Sequence, residues 1–597
     1  MFPSISSAKH YMSKIHGHRH ERMDFQKVMD AITDCEIISF DIFDTLVIRP
    51  YVNPTDLFMH MEVNEDIPGF HRERVNAERN CRRRGNPEIT YDEIYGEIDR
   101  RFLCMKEIEL DYERSLLRTN TEMEEIFRHA RESGKKVVIT SDMYLPSEFL
   151  DKVLQKNGYS GYQKIYVSCE HRCNKRTGEL FKIIMDDFGT EPGSILHIGD
   201  NKHSDYSVPK RLGMGAIWYE SIMSQYFSHN RRESYFYHRN KNLGASVITA
   251  MDASKWLKNG KRESENYWYD VSYRFGGLMT YSYLRFIKHN LSNDSKKIFF
   301  VARDGYNLIR IFNLLYNELF DCEYLYVPRV FRHLNSGSNK NSGSYAHWIV
   351  KYFSNHDEIK GLVSDKKLSI NACIRIYNDN TEVFDSLRLK EMEKYLRYIS
   401  RMLDEGGNIN VVDVTTLEYS SQRLVESFAN KSDVTGYYYI ALKNSTNEKH
   451  FTYHDRSRRF SNWSEVNVSE FFMSSPEPPI NGISEDSKPV YREDNLECEL
   501  FRISIQEDIL AGETDYATDM MEMFGKKLPM IDPGSVRLWT KLLIGRKSKA
   551  DQENILKMKW APGFDHKEYY YMIFDVSDIV YHIKNKGAAF IKKFTGN

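Results

Sequence analysis

The sequence from Ile37 to Arg49 reads Ile-Ile-Ser-Phe-Asp-Ile-Phe-Asp-Thr-Leu-Val-Ile-Arg. Its first four residues are mostly apolar and are typical of a short, buried strand in a parallel sheet. Two carboxylates and a threonine follow directly, at Asp41, Asp44 and Thr45. Because ligands bind beyond the carboxyl ends of the strands in an open α/β sheet, we expect these three side chains to face a pocket.

The composition predicts a soluble protein of several domains. A chain of 597 residues is too long for one hydrophobic core, and 41% hydrophobic with 28% charged residues is ordinary for globular proteins. The net charge of −2 gives no general attraction to nucleic acid. Eight cysteines in so long a chain do not indicate a disulfide framework, and no apolar run reaches spanning length, so we expect a cytoplasmic protein.

Two further segments carry polar groups where an anion would need them. The segment Lys135–Met143 is a strand pattern that ends in small hydroxyls, which can donate to a phosphoryl oxygen without crowding it. Ser141 and Thr140 are the two candidates for this contact. Lys175 precedes a predicted helix, where its ammonium would hold the Asp41 carboxylate and neutralise charge on a transferred group.

The segment Ser194–Asp205 has the most specific spacing. A predicted strand ends in Gly199-Asp200, and a second acid follows at Asp205, at the start of a helix. Mg²⁺ prefers one or two carboxylates completed by water and phosphate oxygens. Asp41 and Asp200, at adjacent strand ends, would supply these ligands, with Asp205 in direct or supporting contact.

The residues between Arg49 and about 130 are predicted to form a helical insertion. Thr90-Tyr-Asp-Glu has the spacing of a capping box at the start of one helix. Arg74, Arg82 and Arg83 lie on another helix, where they either meet the anionic part of a substrate or form a solvated face. An insertion of this kind excludes water and shapes a substrate pocket.

Together these segments resemble the haloacid dehalogenase (HAD) superfamily, over residues 36 to 218. The resemblance implies a Rossmann-like domain with a helical cap and a Mg²⁺-dependent reaction through an aspartyl-phosphate on Asp41. It also implies the following site: catalytic Asp41, Asp44, Ser141 and Lys175; metal-binding Asp41, Phe43 (through its backbone carbonyl), Asp200 and Asp205; substrate-binding Thr45, Thr140 and Asn201.

One position departs from the phosphatases of that superfamily. They carry a general acid two residues after the nucleophile, where this chain has Phe43, and the acid comes one residue later at Asp44. Losing a general acid costs roughly 10²–10⁴-fold in rate. Three interpretations stay open: Asp44 takes the role through a shifted turn, the leaving group needs little protonation, or the domain has lost activity.

A second α/β pattern begins near residue 266. The candidate strands are Lys297–Val301, Tyr324–Pro328, Ile409–Val414 and Gly436–Leu442. Strands alternating with helices predict a second Rossmann-like α/β domain. Asp304 and Asp413 lie at strand ends, but no glycine-rich dinucleotide fingerprint accompanies them, so we interpret them as structural caps.

The second half adds another resemblance. The turn Ala302–Tyr306, the Val411-Val-Asp413 strand with Ser420-Ser-Gln-Arg-Leu, and Phe471–Pro476 resemble two-domain bacterial proteins found with surface-polysaccharide biosynthesis enzymes. This implies a phosphorylated sugar or polyol substrate, or a glycan, and association with glycan-biosynthesis enzymes. The chain departs at Thr415-Thr-Leu-Glu, where relatives tend to have a Gly-Trp-Gly-like turn.

The predicted fold class is therefore α/β, with a HAD-like domain and cap, a second Rossmann-like domain and a helical C-terminal region. The expected boundaries are an arm at 1–24, the first domain at 25–225 with its cap at about 51–130, a linker at 226–265, the second domain at 266–490 and the helical region at 491–597. The segment Ile583–Phe594 is basic and amphipathic. It either touches an anionic membrane surface weakly or forms a solvent-exposed terminal helix.

These observations predict a Mg²⁺-dependent phosphohydrolase with a capped first domain. Two alternatives remain. The second domain would bind an activated donor and make the protein a glycosyl- or phosphotransferase, or the protein would be a scaffold with a weakened HAD domain.

Overall fold

The computed structural model divides into two compact units. The first comprises the described residues up to Tyr237, together with Lys241–Leu257 and Met523–Pro529, and the second comprises His238–Asn240, Lys258–Glu522 and those from Met530. The structure describes residues 25–84, 88–260, 266–292, 297–316, 319–335, 343–363, 369–403, 408–416, 419–429, 433–442, 448–453, 463–493, 496–544, 548–555, 557–560 and 570–571. Within these ranges, no helix combines the length and apolar character needed to cross a membrane. The N-terminal arm at 1–24 and the basic segment Ile583–Phe594 lie outside them.

The first unit is built on a parallel sheet of five strands. The strands of this unit are β1 (Ile37–Phe40), β2 (Val47–Ile48), β3 (Arg118–Thr119), β4 (Lys136–Ser141), β5 (Lys164–Val167), β6 (Ile195–Gly199) and β7 (Gly215–Trp218). The sheet has the order β5-β4-β1-β6-β7, which places β1 at its centre. All four residues of β1 are buried, as the apolar run predicts.

A helical insertion separates β1 from its parallel neighbour β4. It contains helices Asp56–Asn64, Phe70–Arg83, Tyr91–Glu97 and Met105–Leu116 and the 3₁₀ turn Arg100–Phe102. The predicted capping box is present, because Thr90 accepts from the Glu93 backbone while the Glu93 side chain bonds the Thr90 backbone. The antiparallel pair β2 and β3 joins the two ends of the insertion. The predicted helical cap is thereby confirmed.

The other helices of the first unit lie before, between and after its strands. They are Phe25–Thr33, Thr121–Glu132, Ser147–Lys156, Ser168–His171, Glu179–Phe188, Val208–Arg211, Ile222–His229, Arg231–Arg239 and Leu243–Lys258, with the 3₁₀ turn Pro192–Ser194 and the π turn Lys202–Ser207.

The segment assigned to a linker, 226–265, is largely helical where it is described. Its longest helix, Leu243–Lys258, is buried from Leu243 to Ala253, because its small and apolar residues cover every face of the helix. The late segment Met523–Pro529 also belongs to the first unit. There, the Lys527 Nζ atom lies 2.7 Å from Asp111 Oδ2.

The second unit contains another parallel sheet of five strands, in the order β12-β11-β10-β8-β9. The strands of this unit are β8 (Lys297–Val301), β9 (Asp321–Leu325), β10 (Ile409–Thr416), β11 (Val434–Ala441), β12 (Lys449–Tyr453), β13 (Ile480–Ile483), β14 (Pro489–Tyr491), β15 (Lys559–Trp560) and β16 (Tyr570–Tyr571). β9 lies three residues before its predicted position, and sequence analysis missed β12. The predicted second α/β domain is confirmed.

Helices cover this sheet and continue beyond it. They are Tyr267–Val271, the π turn Ser272–Gly277, Leu278–Asn290, Gly305–Tyr316, Arg329–Asn335, Gly343–Tyr352, Asp357–Lys360, Ile370–Asp379, Thr381–Met402, Ser420–Glu426, Trp463–Phe472, Glu497–Ser504, Gln506–Phe524, Pro533–Ile544 and Lys549–Ile555. The helical C-terminal region is thus present over its described part.

Candidate active site

The site lies at the point where the strand order of the first sheet reverses. β1 has β4 on one side and β6 on the other, and both pairs are parallel. The Asp41 backbone N–H, directly after β1, donates to the Ile198 carbonyl of β6 at 2.9 Å. The polar residues that follow β1 and β6 therefore meet at one edge, which is where open α/β sheets bind ligands.

Three carboxylates converge at this edge. One oxygen from each of Asp41, Asp200 and Asp205 lies within 4.8 Å of the others. Asp41 and Asp205 are buried and Asp200 is half-buried. Oxygen donors at this spacing fit a hard divalent cation such as Mg²⁺.

Lys175 is the cation of the cluster. Its Nζ atom donates to Asp41 Oδ1 at 2.6 Å and lies 2.7 Å from Asp205 Oδ1. Although burial opposes charge on the amine, Asp205 and Asp41 raise the pKa of Lys175 well above its ordinary value. The Lys175 backbone N–H donates to Asp142 Oδ1 at 2.9 Å, which fixes the loop to the end of β4.

One ammonium does not balance the charge of three carboxylates. Burial, followed by the repulsion of neighbouring carboxylates, raises the pKa of Asp200 to about 8. Burial also raises the pKa of Asp41 to about 7, against the opposing effect of Lys175. Burial acts on Asp205 in the same direction, but Lys175 and the His197 hydrogen bond hold its pKa below the ordinary value. The excess of negative charge fits the binding of a further cation.

Asp205 is held from several sides and supports the other residues of the cluster. Its Oδ2 atom accepts from the Asn201 backbone N–H at 2.9 Å, and its Oδ1 atom lies 3.2 Å from His197 Nε2. A Cβ atom on Gly199 would lie 2.6 Å from the Asp205 carboxyl carbon, so the approach of Asp205 requires glycine there. At 1% side-chain exposure, Asp205 fits the supporting role better than direct contact with a ligand.

The Asn201 side chain, predicted to bind substrate, caps the following π turn. Its Oδ1 atom accepts from the backbone N–H groups of His203 and Ser204 at 3.0 and 3.1 Å. The side-chain oxygen of Asn201 is therefore used by the backbone, and the substrate-binding role of this residue stays a prediction.

A chain of buried polar groups links three strands beneath the site. The Ser39 hydroxyl lies 2.7 Å from Thr140 Oγ1 and 2.8 Å from His197 Nδ1, and His197 in turn contacts Asp205. The Thr140 hydroxyl therefore bonds Ser39 within the sheet, and its contact with a substrate stays a prediction. Ser39 and His197 were missed by sequence analysis, although each is a polar residue within an apolar strand.

Ser141 and Thr45 are the two hydroxyl residues expected near Asp41. Ser141 is the last residue of β4 and is almost fully buried. The Thr45 hydroxyl donates to Asp41 Oδ2 at 3.4 Å, a long contact. Both residues lie where the sequence pattern places them.

Asp44 lies in the turn that leaves β1. Its backbone has φ of 55°, in the left-handed region, and its N–H donates to the Val47 carbonyl at 2.8 Å. Burial raises the pKa of Asp44, and Arg49 opposes this shift. Asp44 also contributes to the raised pKa of Asp200, so its carboxyl acts on the same cluster.

Phe43 occupies the position of the missing general acid. Its ring lies under the Arg49 guanidinium, with 4.1 Å between the Arg49 carbon and the ring centre. Arg49 is bound on its other side by Glu113, at 3.2 Å between Nη2 and Oε1. The Phe43 side chain is thereby packed against Arg49, and the metal-binding role of its backbone carbonyl stays a prediction.

The arginines of the insertion do not form one surface. Arg74 is fully buried and makes two 2.8 Å hydrogen bonds to the Glu109 carboxylate, which corrects both interpretations of this residue. Arg82 pairs with Glu78 on the outside of the same helix, and Arg83 is exposed. Arg74 therefore stabilises the interior of the cap.

Comparison with known proteins gives only distant structural likenesses. No family model matches the chain, and no curated protein matches it. A HAD family enzyme, BT-2542 of Bacteroides thetaiotaomicron, is 18% identical, with 31% of this chain and 94% of that chain covered and a TM-score of 0.25. The same enzyme in complex with magnesium and inorganic phosphate is 18% identical, with 31% of this chain and 95% of that chain covered and a TM-score of 0.23.

An L-2-haloacid dehalogenase from Xanthobacter autotrophicus is 14% identical, with 30% of this chain and 75% of that chain covered and a TM-score of 0.23. Scores this low carry no argument about activity. The functional reasoning therefore depends on the residues of this chain.

Proposed function

We propose that the first unit is a Mg²⁺-dependent phosphohydrolase that acts through an aspartyl-phosphate on Asp41. The observation that supports this most is the convergence of three carboxylates within 4.8 Å, with Lys175 bound to two of them. A buried acidic cluster with one ammonium is suited to an anionic group only when a divalent cation completes it.

Asp41 and Asp200 would hold the Mg²⁺ ion, together with the Phe43 carbonyl, and Asp205 would support them. The bound ion would offset the negative charge of the phosphoryl group. Lys175 contributes a fixed positive charge, and its two short contacts keep the ammonium beside Asp41. Positioned charge of this kind supplies most of the catalysis in phosphoryl transfer.

In the first step, an Asp41 oxygen attacks phosphorus and the bond from phosphorus to the leaving oxygen breaks. Asp44 delivers its proton to that oxygen, and the phosphoryl group remains on Asp41. In the second step, water attacks phosphorus while Asp44 accepts the proton, which releases phosphate and regenerates Asp41. Ser141 donates to a phosphoryl oxygen throughout.

The assignment of Asp44 as general acid rests on its location. It follows the nucleophile by three residues, in a turn with a left-handed backbone, and its charge contributes to the raised pKa of Asp200. Replacement by asparagine is expected to lower kcat by roughly 10²–10⁴-fold. An unchanged kcat would favour a leaving group that needs no protonation.

For the substrate we propose a phosphorylated sugar or polyol that enters surface-glycan assembly in the cytoplasm. This choice rests on the sequence resemblance alone. The direct test is a panel of sugar phosphates and polyol phosphates, assayed for phosphate release with and without Mg²⁺. The wild type is compared with Asp41→Asn and with Asp34→Asn, an exposed aspartate just before β1.

The expected result is Mg²⁺-dependent phosphate release that falls by about a thousandfold or more in Asp41→Asn, since loss of a nucleophile has effects of this size or greater. Asp34→Asn is expected to match the wild type. Equal release by wild type and Asp41→Asn would refute the mechanism. Absence of release from the whole panel would favour the scaffold alternative, and a product that forms only with an acceptor would favour transfer.

A further inference from the structure

The second unit contains a cavity of about 190 Å³. It opens at the carboxyl edge of the sheet, where Val301, the last residue of β8, and Asp413, in the second half of β10, contribute to its wall. β9 lies on the outer side of β8, whereas β10 lies on the inner side. The chain therefore continues from β8 toward one edge of the sheet and from β10 toward the other edge. In open α/β sheets, ligands bind beside the pair of strands at which the strand order reverses in this way.

One wall of the cavity is a buried arrangement of two arginines around one acid. Arg303 Nη1 donates to Glu499 Oε2 at 2.8 Å, and Arg502 Nη2 donates to the same oxygen at 3.1 Å. Arg502 also donates to the carbonyl oxygen of Glu477 at 3.1 Å, and it is only 5% exposed. These bonds hold two guanidinium groups rigidly at the cavity.

The other wall connects an arginine to an acid through a serine. Arg332 Nη2 donates to Ser421 Oγ at 2.6 Å, and that hydroxyl donates to Asp413 Oδ2 at 2.6 Å. Asp413 Oδ1 accepts from the Val414 backbone N–H at 2.9 Å. Each carboxylate oxygen retains a second lone pair for a donor.

Thr415 adds a polar atom that the protein itself does not satisfy. It lines the cavity, and its hydroxyl oxygen is buried without a hydrogen-bond partner among the described residues. A buried polar group in this state costs about 1–3 kcal/mol unless a ligand or water bonds it.

The charges around the cavity cancel. Of the described lining residues, four are cationic and four are anionic, namely Arg303, Arg332, Arg502 and Lys559 against Asp304, Asp413, Glu470 and Glu499. Such a wall offers a ligand both hydrogen-bond donors and hydrogen-bond acceptors, but it does not favour a ligand with a net charge. Hydroxyl groups, which donate and accept together, match such a wall.

The size of the cavity limits the ligand further. Sites for drug-sized ligands are about 300–1,000 Å³, so a cavity of about 190 Å³ is too small for a nucleotide-activated donor. Apolar side chains such as Val327, Val330 and Phe471 complete the lining and suit the C–H face of a ring. We infer that this cavity binds an uncharged polyhydroxyl molecule the size of a single sugar.

The test is binding by the purified full-length chain, measured by saturation-transfer NMR and calorimetry. The probes are glucose, galactose, mannose and sorbitol, compared with glucose 6-phosphate, glucuronate and UDP. Asp413→Asn and Thr415→Val change groups of the cavity while keeping the side-chain shape. Asp321→Asn, at the exposed amino end of β9 in the same sheet, is the matched control.

At least one neutral probe is expected to bind saturably at millimolar concentrations, and Asp413→Asn and Thr415→Val are expected to weaken that binding about tenfold or more. Asp321→Asn and Asp41→Asn are expected to leave it unchanged, the latter because the first site is a separate one. Melting temperatures of the variants show whether they fold. Binding of only the charged probes, no saturable binding of any neutral probe, or equal affinity in folded Asp413→Asn and Thr415→Val would each overturn the inference.

Discussion

Gly199→Ala tests how closely the first site is packed. A Cβ atom at this position would lie 2.6 Å from both the carboxyl carbon and Oδ2 of Asp205. Carbon atoms in good contact are about 3.5–4.0 Å apart, so the overlap is about 1 Å. Asp205 cannot retreat without losing Lys175 and the Asn201 backbone N–H, which hold its two oxygens.

The overlap has two measurable consequences. Overpacking a tightly filled interior costs about 1–3 kcal/mol of unfolding free energy. A displacement of about 1 Å in the carboxylate that positions Lys175 is expected to lower kcat about a hundredfold, since misplacements of this size have such effects. Urea unfolding and phosphate release, measured on the same preparation, check the two values.

The control is Gly96→Ala, at an exposed position of the helix Tyr91–Glu97 in the same unit. A Cβ atom there has no neighbour within 4 Å. Alanine in a helix interior is favoured over glycine by about 0.5–1 kcal/mol, so this variant is expected to be as stable as the wild type or slightly more stable. If Gly199→Ala matched Gly96→Ala in stability and kcat, the close contact with Asp205 would be refuted.

Three further predictions concern buried polar groups. Lys175→Met removes the ammonium that pairs with the buried carboxylates. The unfolding free energy, measured by urea titration without metal, is therefore expected to fall by about 3–5 kcal/mol. An unchanged unfolding free energy would contradict the ion pairs of Lys175. Ser141→Ala is expected to lower kcat/KM about tenfold through loss of a phosphoryl contact. Thr140→Val is expected to preserve kcat/KM and to lower the unfolding free energy by about 1 kcal/mol. A larger loss of kcat/KM in Thr140→Val than in Ser141→Ala would show that Thr140, and not Ser141, contacts the phosphoryl group. In the second unit, burial raises the pKa of Glu513 from 4.5 to about 8, so the folded state keeps a proton that the unfolded state releases. Its stabilising contribution is therefore complete below pH 4.5 and is lost as pH rises toward about 8. Between these two pH values the Glu513 proton makes the unfolding free energy fall by roughly 1.4 kcal/mol per pH unit, and Glu513→Gln is expected to remove that slope; identical curves would show that Glu513 is not protonated in the folded state.

The sequence indicates where the first site lies because its main residues follow local patterns. Asp41 and Asp200 each come after an apolar run, so their placement at strand ends requires only the periodicity of β1 and β6. Lys175 and Asp205 follow at characteristic spacings in predicted loops and helices. The convergence of these segments then follows from the parallel sheet.

The supporting residues could not be predicted in the same way. Ser39 meets Thr140 and His197 across 101 and 158 residues of sequence, respectively, and such contacts depend on the register between strands. Asp142 was overlooked because its partner is a backbone N–H, which any residue provides. Arg74 has the charge of a surface residue, and only the position of Glu109 makes its burial favourable.

The second unit shows a similar limit. Asp413 was recognised as a strand-end acid, but its place in a cavity depends on Arg332 and Ser421, whose positions follow from packing. β12 was missed because its sequence, Lys-His-Phe-Thr-Tyr, has no extended apolar run. The buried helix Leu243–Lys258 was assigned to a linker because polar residues surround it in the sequence.

The central claim is that Asp41 and Asp200, supported by Asp205, form one cation site with Lys175 beside it. Calorimetric titration of the metal-free protein with Mg²⁺ tests this claim most directly, with Asp200→Asn as the variant and Asp34→Asn as its control. We expect the wild type and Asp34→Asn to bind Mg²⁺ with the same affinity, and Asp200→Asn to bind it about tenfold or more weakly. Equal affinity in all three proteins would place the cation elsewhere and contradict the account.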